Sequence, residues 1–576
     1  MRLTWPDRTL PDEIHAALAG PGAPFELVTE NVLGVDLQVF AKRARHLREL
    51  LTTAAERFGD RPYVVFPDRT LTYAEMVEHA AVVARSLQET YGVTKGDRVA
   101  IAAANCVEYA VTFWATTALG AITVAMNGWW TGPEMTYALG LTEPRVLLGD
   151  RRRIERLAGE SVPDDLPVVV FEDDFASLER ARPDDSDDVA LPDVAIDEDD
   201  PYLILFTSGT TGRPKGALLS HRSNVHFVSM AILRAAEGIA RHARATGRAP
   251  SRPPSLPVTI SASPFFHVSG LNCQLVMACA TGMTIVYPPP GRWREDVHLE
   301  LTEKHRATAW SLVPTQLWRL LQWPDLDRYD LSSLKSVGGG SAVWPPELLR
   351  KLEEKLPNVR PGLGTGWGMT ESNGGGTSLR SDSTYDHPDS IGNVAPSVEL
   401  EIRDPETGAA LGEGEVGEIC IRTAALFLRY WNDPDATRAA LDDERWYRTG
   451  DFGHVVDEFV YLEGRRQDLI IRGGENVYPA EIESRIIEHP DVDEVAVVGV
   501  DHPTLGQEVK AYVVARPGSL LSADEVRAFA ATSLAAYKVP AHVELVGSLP
   551  HNATGKVLKH LLGKETPLQS TGFIEE

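Results

Sequence analysis

The chain has 576 residues, of which 43% are hydrophobic and 24% are charged. This composition is typical of a folded globular protein and excludes extensive disorder. There are 56 lysine and arginine residues against 82 aspartate and glutamate residues, so the formal net charge is −26. Such a chain has no overall field that attracts nucleic acid or anionic lipid, and we predict that it binds neither. Its length predicts about three to five domains or subdomains.

The cysteines and the N-terminal sequence predict a soluble protein of the reducing cytoplasm. No signal peptide is visible, because charged residues stand where its apolar segment would lie. Residues 109–133 carry no charge, but Gly120 interrupts them, so we predict a buried helix over about 108–119 and a buried strand over 121–126 rather than a membrane span. Four cysteines without zinc-like spacing are expected to be free thiols, buried or half-buried: Cys106, Cys273, Cys279 and Cys420.

Apolar strand-like runs alternate with helical patterns along most of the chain, which predicts an α/β fold with largely parallel sheets. Predicted helices include Tyr73–Thr90 and Pro346–Leu356. Two polar segments, 172–201 and 237–257, are predicted to be linkers or exposed loops. The predicted strands are Arg98–Ala103, Ile122–Met126, Arg145–Leu148, Val168–Phe171, Tyr202–Phe206, Met283–Tyr287 and Ala307–Val313.

The character of the sequence changes near residues 464–468, and the remainder predicts a separate α+β domain of about 110 residues. We therefore predict a large domain over 1–464, a connection over 465–468 and a small domain over 469–576, with a frayed tail after Lys564. The predicted elements of the small domain are helix Ala480–Glu488, strands Glu494–Val500 and Glu508–Ala515, helix Ala523–Leu534 and strand His542–Leu545.

A loop rich in glycine and hydroxyl groups follows the predicted strand Tyr202–Phe206. Its backbone N–H groups, hydroxyls and single lysine suit polyphosphate oxygens. It is not a Walker A loop, because Lys215 stands between Pro214 and Gly216 rather than before Ser or Thr. The loop consists of Thr207, Ser208, Gly209, Thr210, Thr211, Gly212, Arg213, Pro214, Lys215 and Gly216.

This ten-residue loop resembles the phosphate loop of the adenylate-forming superfamily, which includes acyl-CoA synthetases, luciferases and peptide-synthetase adenylation domains. Further motifs of that superfamily follow in its order, and the resemblance covers about residues 45–562. It implies a large N-terminal domain of layered α/β subdomains, with mixed sheets and a small β-subdomain. A small mobile α+β domain that carries the catalytic lysine is then expected at the C-terminus.

The resemblance implies an acid pocket and an adenine site from three motifs. In Ser263–Gly270, Phe266 lines the pocket and His267 gates the acid. The second motif, Gly338–Ala342, is expected to be a turn that borders both the acyl pocket and the adenine. The third motif is Gly366–Glu371. The resemblance implies that Gly340 of the second motif and Gly366 of the third line the acyl pocket. The nucleotide-binding residues of these two motifs are then Gly339, Ser341, Ala342, Trp367, Gly368 and Met369.

The third motif, Gly366–Glu371, has Trp367 where the superfamily usually has Tyr. The resemblance implies that the Trp367 ring covers adenine and that Thr370 contacts the α-phosphate. It also implies that Glu371, with Thr210, holds Mg²⁺, a hard cation that prefers oxygen ligands.

The C-terminal third carries the remaining motifs. The resemblance implies that Asp451 accepts hydrogen bonds from the ribose and that Arg465 binds ribose or phosphate. Gln467 occupies the hinge position, where Asp or Lys is usual. The loop Gly473, Gly474 and Glu475 is expected to serve the thioester step, and Lys556 is expected to be the adenylation lysine, with His551 standing where Arg is common.

The resemblance implies a two-step reaction that uses ATP, Mg²⁺ and CoA. A carboxylic acid attacks the α-phosphorus of ATP, and pyrophosphate leaves. A thiolate then attacks the acyl-adenylate, and AMP leaves. Because both first-step reactants are negative, positive charge from Lys215, Lys556 and Mg²⁺ must converge on the phosphates.

The segments expected to line the acid pocket contain no Lys or Arg for a second carboxylate and no Asp for an α-amino group. We therefore expect a medium- or long-chain fatty acid, or a bulky apolar or aromatic monoacid. CoA is the expected acceptor, and an acyl carrier protein is the alternative. A non-catalytic nucleotide-binding protein is the alternative of another class. The oligomeric state, homodimer or monomer, is left open.

Overall fold

The computed structural model describes residues 1–6, 10–180, 190–207, 214–247, 256–340, 344, 346–465, 468–472, 475–551 and 557–562. The contacts divide the chain into two compact units. The larger unit consists of Met1–Glu415, Ile419–Thr449 and Val455–Tyr461. The smaller unit consists of Val416–Glu418, Gly450–His454 and Leu462–Glu576.

Helices in the described residues are numbered in chain order. A typical one is α3, which a Thr72–Glu75 capping box begins and left-handed Gly92 ends. Their bounds are α1 Asp12–Ala19, α2 Leu47–Phe58, α3 Tyr73–Tyr91, α4 Val107–Ala118, α5 Gly132–Thr142, α6 Arg151–Ile154, α7 Phe171–Arg180, α8 His221–Thr246, α9 Val268–Gly270, α10 Met277–Thr281, α11 Glu295–Lys304, α12 Pro314–Leu321, α13 Pro346–Lys355, α14 Ser381–Asp386, α15 Pro434–Ala440, α16 Pro479–Ile487 and α17 Ala523–Ala531.

Strands are numbered in the same way. Their bounds are β1 Arg2–Thr4, β2 Leu27–Val32, β3 Val35–Phe40, β4 Pro62–Val65, β5 Thr70–Thr72, β6 Arg98–Ala102, β7 Ile122–Ala125, β8 Val146–Gly149, β9 Val168–Val170, β10 Pro201–Thr207, β11 Lys215–Ser220, β12 Val258–Ile260, β13 Thr284–Val286, β14 Ala309–Ser311, β15 Ser336–Gly339, β16 Leu363–Trp367, β17 Thr377–Arg380, β18 Ser390–Val394, β19 Glu399–Arg403, β20 Gly417–Arg422, β21 Arg429–Tyr430, β22 Tyr447–Val456, β23 Phe459–Arg465, β24 Ile470–Arg472, β25 Glu475–Val477, β26 Val492–His502, β27 Gly506–Ala515 and β28 His542–Val546.

The first sheet of the larger unit has the order β21-β11-β10-β7-β6-β8-β9. Strands β10, β7, β6, β8 and β9 are parallel to one another, whereas β11 pairs antiparallel with both β10 and β21. The central strands β6, β7 and β8 are buried on both faces and read as apolar runs, as the sequence predicted.

The second sheet of the larger unit contains the order β18-β17-β16-β15-β14-β12-β13-β4-β5. Its central strands, β16, β15, β14, β12, β13 and β4, are parallel, and β17, β18 and β5 join antiparallel. A core that includes the buried rings of Trp310 and Trp344 packs beside β14, β15 and β16. The predicted α/β class with mixed sheets is therefore confirmed.

The uncharged stretch after Tyr109 folds as predicted, into the buried helix α4 and the buried strand β7. Left-handed Gly120 lies between them, with a φ of 65°. Within the described part of the chain, no helix combines the length and the apolar character needed to cross a bilayer. The four cysteines are free thiols, two buried and two half-buried.

The smaller unit has its own core, formed by buried residues of β24, β26, β27, α16 and α17. Its sheet has the order β25-β24-β27-β26, and β28 pairs parallel with β27. All five elements predicted for residues 480–545 are present. Strand β26 extends two residues beyond both predicted ends, and β27 begins two residues before its predicted start.

Three sequence expectations need correction. Residues 171–180 form α7, not a linker, because Phe171, Phe175 and Leu178 give that stretch a buried apolar face. The 237–257 segment is not an exposed loop throughout, because α8 continues to Thr246 and buries Glu237, which accepts a hydrogen bond from Trp5. Gly338 and Gly339 lie in β15 rather than in a turn.

Candidate active site

The predicted phosphate loop connects two antiparallel strands. The pairing of β10 with β11 runs from Pro201↔Ser220 to Thr207↔Lys215. Residues directly opposite each other in an antiparallel pair have neighbouring side chains on one face, so Thr207 and Lys215 lie side by side at the end of the hairpin. The predicted phosphate-binding residues Ser208, Gly209, Thr210, Thr211 and Gly212 lie outside the described residues.

Lys215 and Glu371, two predicted site residues of opposite charge, contact the same aromatic side chain. The Lys215 ammonium lies 5.2 Å from the centroid of the Tyr430 ring, a cation–π distance. The Tyr430 hydroxyl donates to Glu371 Oε1 at 2.8 Å. The sequence analysis did not single out Tyr430. It lies opposite Ala217 across β21 and β11, close to the strand end that carries Lys215.

A short 3-10 turn, Thr370–Ser372, holds two predicted catalytic residues. Thr370 and Glu371 are 8% and 6% exposed. The Ser372 hydroxyl donates to the Met369 carbonyl and accepts from the Met369 N–H, which closes the turn. The turn ends at left-handed Asn373, with a φ of 56°. Glu371 therefore has a fixed backbone position.

Trp367, predicted to cover adenine, ends β16 and is 8% exposed. Its ring packs directly on Gly376, where an added Cβ would lie 2.7 Å from the ring. Gly368 is also required sterically, because a Cβ there would lie 2.2 Å from the Gly374 carbonyl oxygen. These glycines let the backbone after β16 turn back closely on itself.

Four glycines leave the C-terminal part of one face of β15 and β16 without side chains. Gly338 and Gly364 are direct partners, and Gly340 and Gly366 follow two residues further along, on the same face. A Cβ at any of these four positions would meet only backbone oxygen, at 3.2–3.7 Å. Gly339 points to the opposite face, where a Cβ would lie 1.9 Å from the Leu312 carbonyl oxygen. Ser341 and Ala342, predicted beside this face, lie outside the described residues.

His267, predicted to gate the acid, is held in a neutral state. Its Nδ1 lies 2.8 Å from Ser269 Oγ and accepts the Ser269 N–H at 3.2 Å. Burial lowers the pKa of His267 to about 4. Phe266 is buried beside Gly128, where an added Cβ would lie 3.0 Å from the Phe266 ring.

A buried amide and hydroxyl network supports these segments, and the sequence analysis missed it. Asn272 Nδ2 donates to Asn373 Oδ1 at 2.9 Å, and Asn373 Nδ2 donates to the Ala425 carbonyl at 2.8 Å. Tyr202 donates to Asn272 Oδ1 at 3.0 Å and accepts from Asn224 at 2.9 Å. The network joins β10 and α8 to the segment after His267 and to the turn that carries Glu371.

The smaller unit contains the other predicted site residues. Asp451 lies on β22 and is 4% exposed. Arg465 ends β23 and Glu475 begins β25, and their side chains are not among those described. His551 and Val557 form an antiparallel bridge on either side of the lysine motif. Gln467, Gly473, Gly474 and Lys556 lie outside the described residues.

The residues of the larger unit fit a magnesium ion that arrives with a nucleotide. Among the described residues, no group of three or more His, Cys, Asp or Glu side chains could hold a metal. Glu371 supplies one buried carboxylate, and its hydrogen-bond donor, Tyr430, also contacts Lys215. Mg²⁺ is commonly bound by one or two carboxylates together with substrate phosphates, so a single carboxylate suits it.

Comparison with known proteins identifies the class. The family model for the AMP-binding enzyme matches residues 51–431, and the model for the AMP-binding enzyme C-terminal domain matches residues 481–556. The chain therefore belongs to the AMP-binding enzyme family. It is an AMP-forming acid–thiol ligase of the adenylate-forming superfamily, which confirms the class that the motifs predicted.

Two curated relatives and one solved structure illustrate the similarity. 4-Coumarate–CoA ligase 2 of Oryza sativa subsp. japonica is 33% identical over 541 residues, which cover 90% of this chain and 91% of the relative. Long-chain-fatty-acid–CoA ligase of Bacillus subtilis (strain 168) is 31% identical over 555 residues, with 90% and 94% covered. ATP-bound MatB from Rhodopseudomonas palustris is 30% identical with a TM-score of 0.77, and the match covers 90% of this chain and 98% of that one.

Proposed function

We propose that this enzyme activates a carboxylic acid with ATP and transfers the acyl group to CoA. The acid oxygen bonds to the α-phosphorus as the bond to pyrophosphate breaks. The CoA thiolate then bonds to the acyl carbon, the acyl–phosphate bond breaks, and AMP leaves. The observation that carries this proposal is the convergence of Lys215 and Glu371 on Tyr430, next to the connection that holds the phosphate-loop motif.

Each reacting charge has a proposed partner. Lys215 and the amides of the loop neutralise the phosphates, and Thr370 contacts the α-phosphate. Glu371, with Thr210, would hold Mg²⁺, which would supply positive charge to the phosphate oxygens. Lys556 stabilises the charge that develops during adenylation, an electrostatic role. This assignment rests on the superfamily motifs.

The remaining assignments concern the nucleoside and the second step. Trp367 covers adenine with Gly339, Ser341, Ala342, Gly368 and Met369 nearby, while Asp451 and Arg465 bind the ribose or phosphate. The small domain, over 469–576, turns about the 465–468 hinge at Gln467 between the steps. That movement brings Gly473, Gly474 and Glu475 to CoA.

The acid is proposed to be an apolar monoacid, either a medium- or long-chain fatty acid or a bulky aromatic acid. The open glycine face supports this choice, because it leaves space for an acyl chain or ring and carries no charged side chain that could pair with a second charge on the acid. The face consists of Gly338, Gly340, Gly364 and Gly366. His267 and Phe266 are proposed to line the same pocket. A neutral His267 does not attract a second carboxylate. The two relatives named above are ligases of 4-coumarate and of long-chain fatty acids, both compatible with such a pocket.

The test is an acid panel. The protein is incubated with ATP, Mg²⁺ and CoA against acids from acetate to palmitate and against aromatic acids, and AMP and acyl-CoA are measured together. We expect equal amounts of AMP and acyl-CoA, with the highest rates for apolar acids. A preference for a diacid or an amino acid would contradict the proposed pocket.

The products formed in the presence of CoA separate the remaining functions. AMP or pyrophosphate exchange without acyl-CoA, even with CoA present, would favour the alternative acceptor, an acyl carrier protein. Nucleotide binding without any AMP formation would favour a non-catalytic nucleotide-binding protein. ADP as the product would contradict the class of reaction itself.

We further propose that the enzyme acts in the cytoplasm.

A further inference from the structure

Tyr430 contacts both charged residues of the proposed site, yet none of the motifs described above assigns it a role. Its ring lies beneath the Lys215 ammonium, and its hydroxyl donates to Glu371. Both Tyr430 and Glu371 are 6% exposed. A buried carboxylate depends on the donors around it for its orientation, because water does not reach it freely.

The segment that carries Tyr430 is fixed on several sides. Strand β21 pairs with β11, and the Phe427 N–H donates to the Glu371 carbonyl at 2.7 Å. The Phe427 ring lies 4.9 Å from the Tyr430 ring and 5.3 Å from the Tyr447 ring, centroid to centroid. The Tyr430 hydroxyl is therefore held where it is, and the 427–430 segment contacts both the main chain and the side chain of Glu371.

The hydroxyl acts as a permanent donor. A phenol has an ordinary pKa of about 10, so near neutral pH the Tyr430 hydroxyl keeps the proton that it donates to Glu371. A carboxylate has room for about four hydrogen bonds or metal contacts, so one phenol does not saturate it.

We propose that Tyr430 is a positioning residue that orients the Glu371 carboxylate for the magnesium ion bound with ATP, while its ring holds Lys215 beside the same phosphates. This inference rests on the proposed function, because it takes Glu371 as the metal-binding carboxylate. Hydrogen-bond partners of metal ligands are commonly worth 10–100-fold in metal affinity, which sets the scale of the expected effect.

The variant Tyr430→Phe tests the hydroxyl alone, because it keeps the ring and its contact with Lys215. We would measure the equilibrium affinity for α,β-methylene-ATP, which cannot be cleaved at the reacting bond, with and without Mg²⁺. In the wild type, Mg²⁺ should tighten binding. In Tyr430→Phe this gain should fall about tenfold, with little change in the affinity measured without Mg²⁺. Equal weakening with and without Mg²⁺ would overturn the proposal.

A double-mutant cycle with Glu371→Gln shows whether Tyr430 acts through Glu371. In the Glu371→Gln background, Tyr430→Phe should change the Mg²⁺-dependent affinity by less than about twofold. An undiminished effect there would overturn the proposal. If Glu371→Gln itself leaves the Mg²⁺ dependence intact, the metal role of Glu371 in the proposed function fails. If Glu371→Gln abolishes the Mg²⁺ dependence but Tyr430→Phe leaves that dependence intact, the proposed role of Tyr430 fails while that of Glu371 stands.

Tyr73→Phe is the matched control for the loss of a buried hydroxyl. The Tyr73 hydroxyl donates to the carbonyls of Ala278 and Met283, both at 2.7 Å, and Tyr73 is fully buried in the core. We expect this variant to lower the Tm about as much as Tyr430→Phe while leaving the Mg²⁺ dependence unchanged. A loss of Mg²⁺ dependence in Tyr73→Phe as well would show that the effect is only structural.

Discussion

Glu371 and Asp451 are buried carboxylates, 6% and 4% exposed, in a protein whose other charges lie mostly at the surface. A buried carboxylate is costly unless hydrogen bonds or cations compensate it. For Glu371 the fold supplies Tyr430 and the nearby Lys215. The hydrogen bond from Tyr430 therefore offsets part of the cost of burying the Glu371 carboxylate.

The clearest prediction for a single residue concerns Lys556. The variant Lys556→Ala should lower the rate of adenylation by about 10²–10³, the usual cost of removing one preorganised charged or hydrogen-bonding group from a transition state. The measurement is acid-dependent exchange of pyrophosphate into ATP, and far-ultraviolet circular dichroism checks that the fold persists. Wild-type exchange in this variant would refute the assignment.

Sequence motifs predict Lys215 and Glu371 because each lies in a contiguous signature. They do not predict Tyr430, which lies 59 residues from Glu371 along the chain and reaches it only through the pairing of β21 with β11. The Asn272–Asn373 bond joins residues 101 apart and is hidden for the same reason. Supporting residues of this kind depend on tertiary contacts, which a single sequence does not encode locally.

At the scale of elements, β15 and β16 present glycines on one face and packed residues on the other. The opposite face, which includes Gly339, lies against the Leu312 backbone and the Trp344 ring. Two neighbouring glycine positions therefore carry different constraints. Gly364 has space for a methyl group, and Gly339 has none.

Gly364→Ala and Gly339→Ala form a matched pair of tests. In Gly364→Ala the new Cβ would lie 3.7 Å from the nearest heavy atom, so we expect an unchanged Tm and a change of about tenfold or more in preference between long and short acids. Gly339→Ala should lower the free energy of unfolding by about 1–3 kcal/mol, because its Cβ would lie 1.9 Å from a carbonyl oxygen. Unchanged acid preference in Gly364→Ala would exclude that face from the pocket.

Strand and helix predictions succeeded where the hydrophobic pattern was strong and buried, as for α4 and β7. They failed where a polar composition was taken to indicate a linker or a loop. Helix α7 has three acidic residues in its first turn, which favour a helix N-terminus but are also typical of a polar linker. Helix α8 buries two charged residues, Arg234 and Glu237. Arg234 Nη1 donates to Glu237 Oε2 at 3.0 Å, so each charge offsets the burial cost of the other.

At the scale of the whole molecule, several buried histidines link stability to pH. Burial lowers the pKa of His221 and His298 to about 3, and that of His226 and His267 to about 4, from 6.5. Below pH 6.5 these histidines bind protons in the unfolded chain but stay neutral in the native state. The free energy of unfolding should therefore fall as the pH drops from about 6.5 to 4, by on the order of 1.4 kcal/mol per pH unit for each histidine.

Denaturant unfolding at pH 7.5, 6.5, 5.5 and 4.5 measures this slope. The variant His298→Gln should reduce the slope, since it removes one group that the unfolded chain protonates. His242→Gln is the control, because His242 is exposed on α8 and should leave the slope unchanged. Equal slopes in both variants and the wild type would contradict the role of the buried imidazoles.

The division into two units motivates a prediction about the proposed hinge. Gln467→Pro should slow thioester formation more than pyrophosphate exchange, because proline fixes φ at the position where backbone rotation is proposed. The two half-reactions are measured separately, with and without CoA. An equal loss of both would show that Gln467 does not serve as a hinge for the second step.

The antiparallel pairing of β10 with β11 has a consequence for the order of folding. These two strands are close in sequence, whereas β7, the parallel neighbour of β10, lies about eighty residues earlier. Closing a short chain segment costs less entropy than closing a long one, and isolated hairpins form in about 1–10 μs. We expect the two strands that flank the phosphate loop to pair early in folding, before β10 pairs with the distant parallel strand β7.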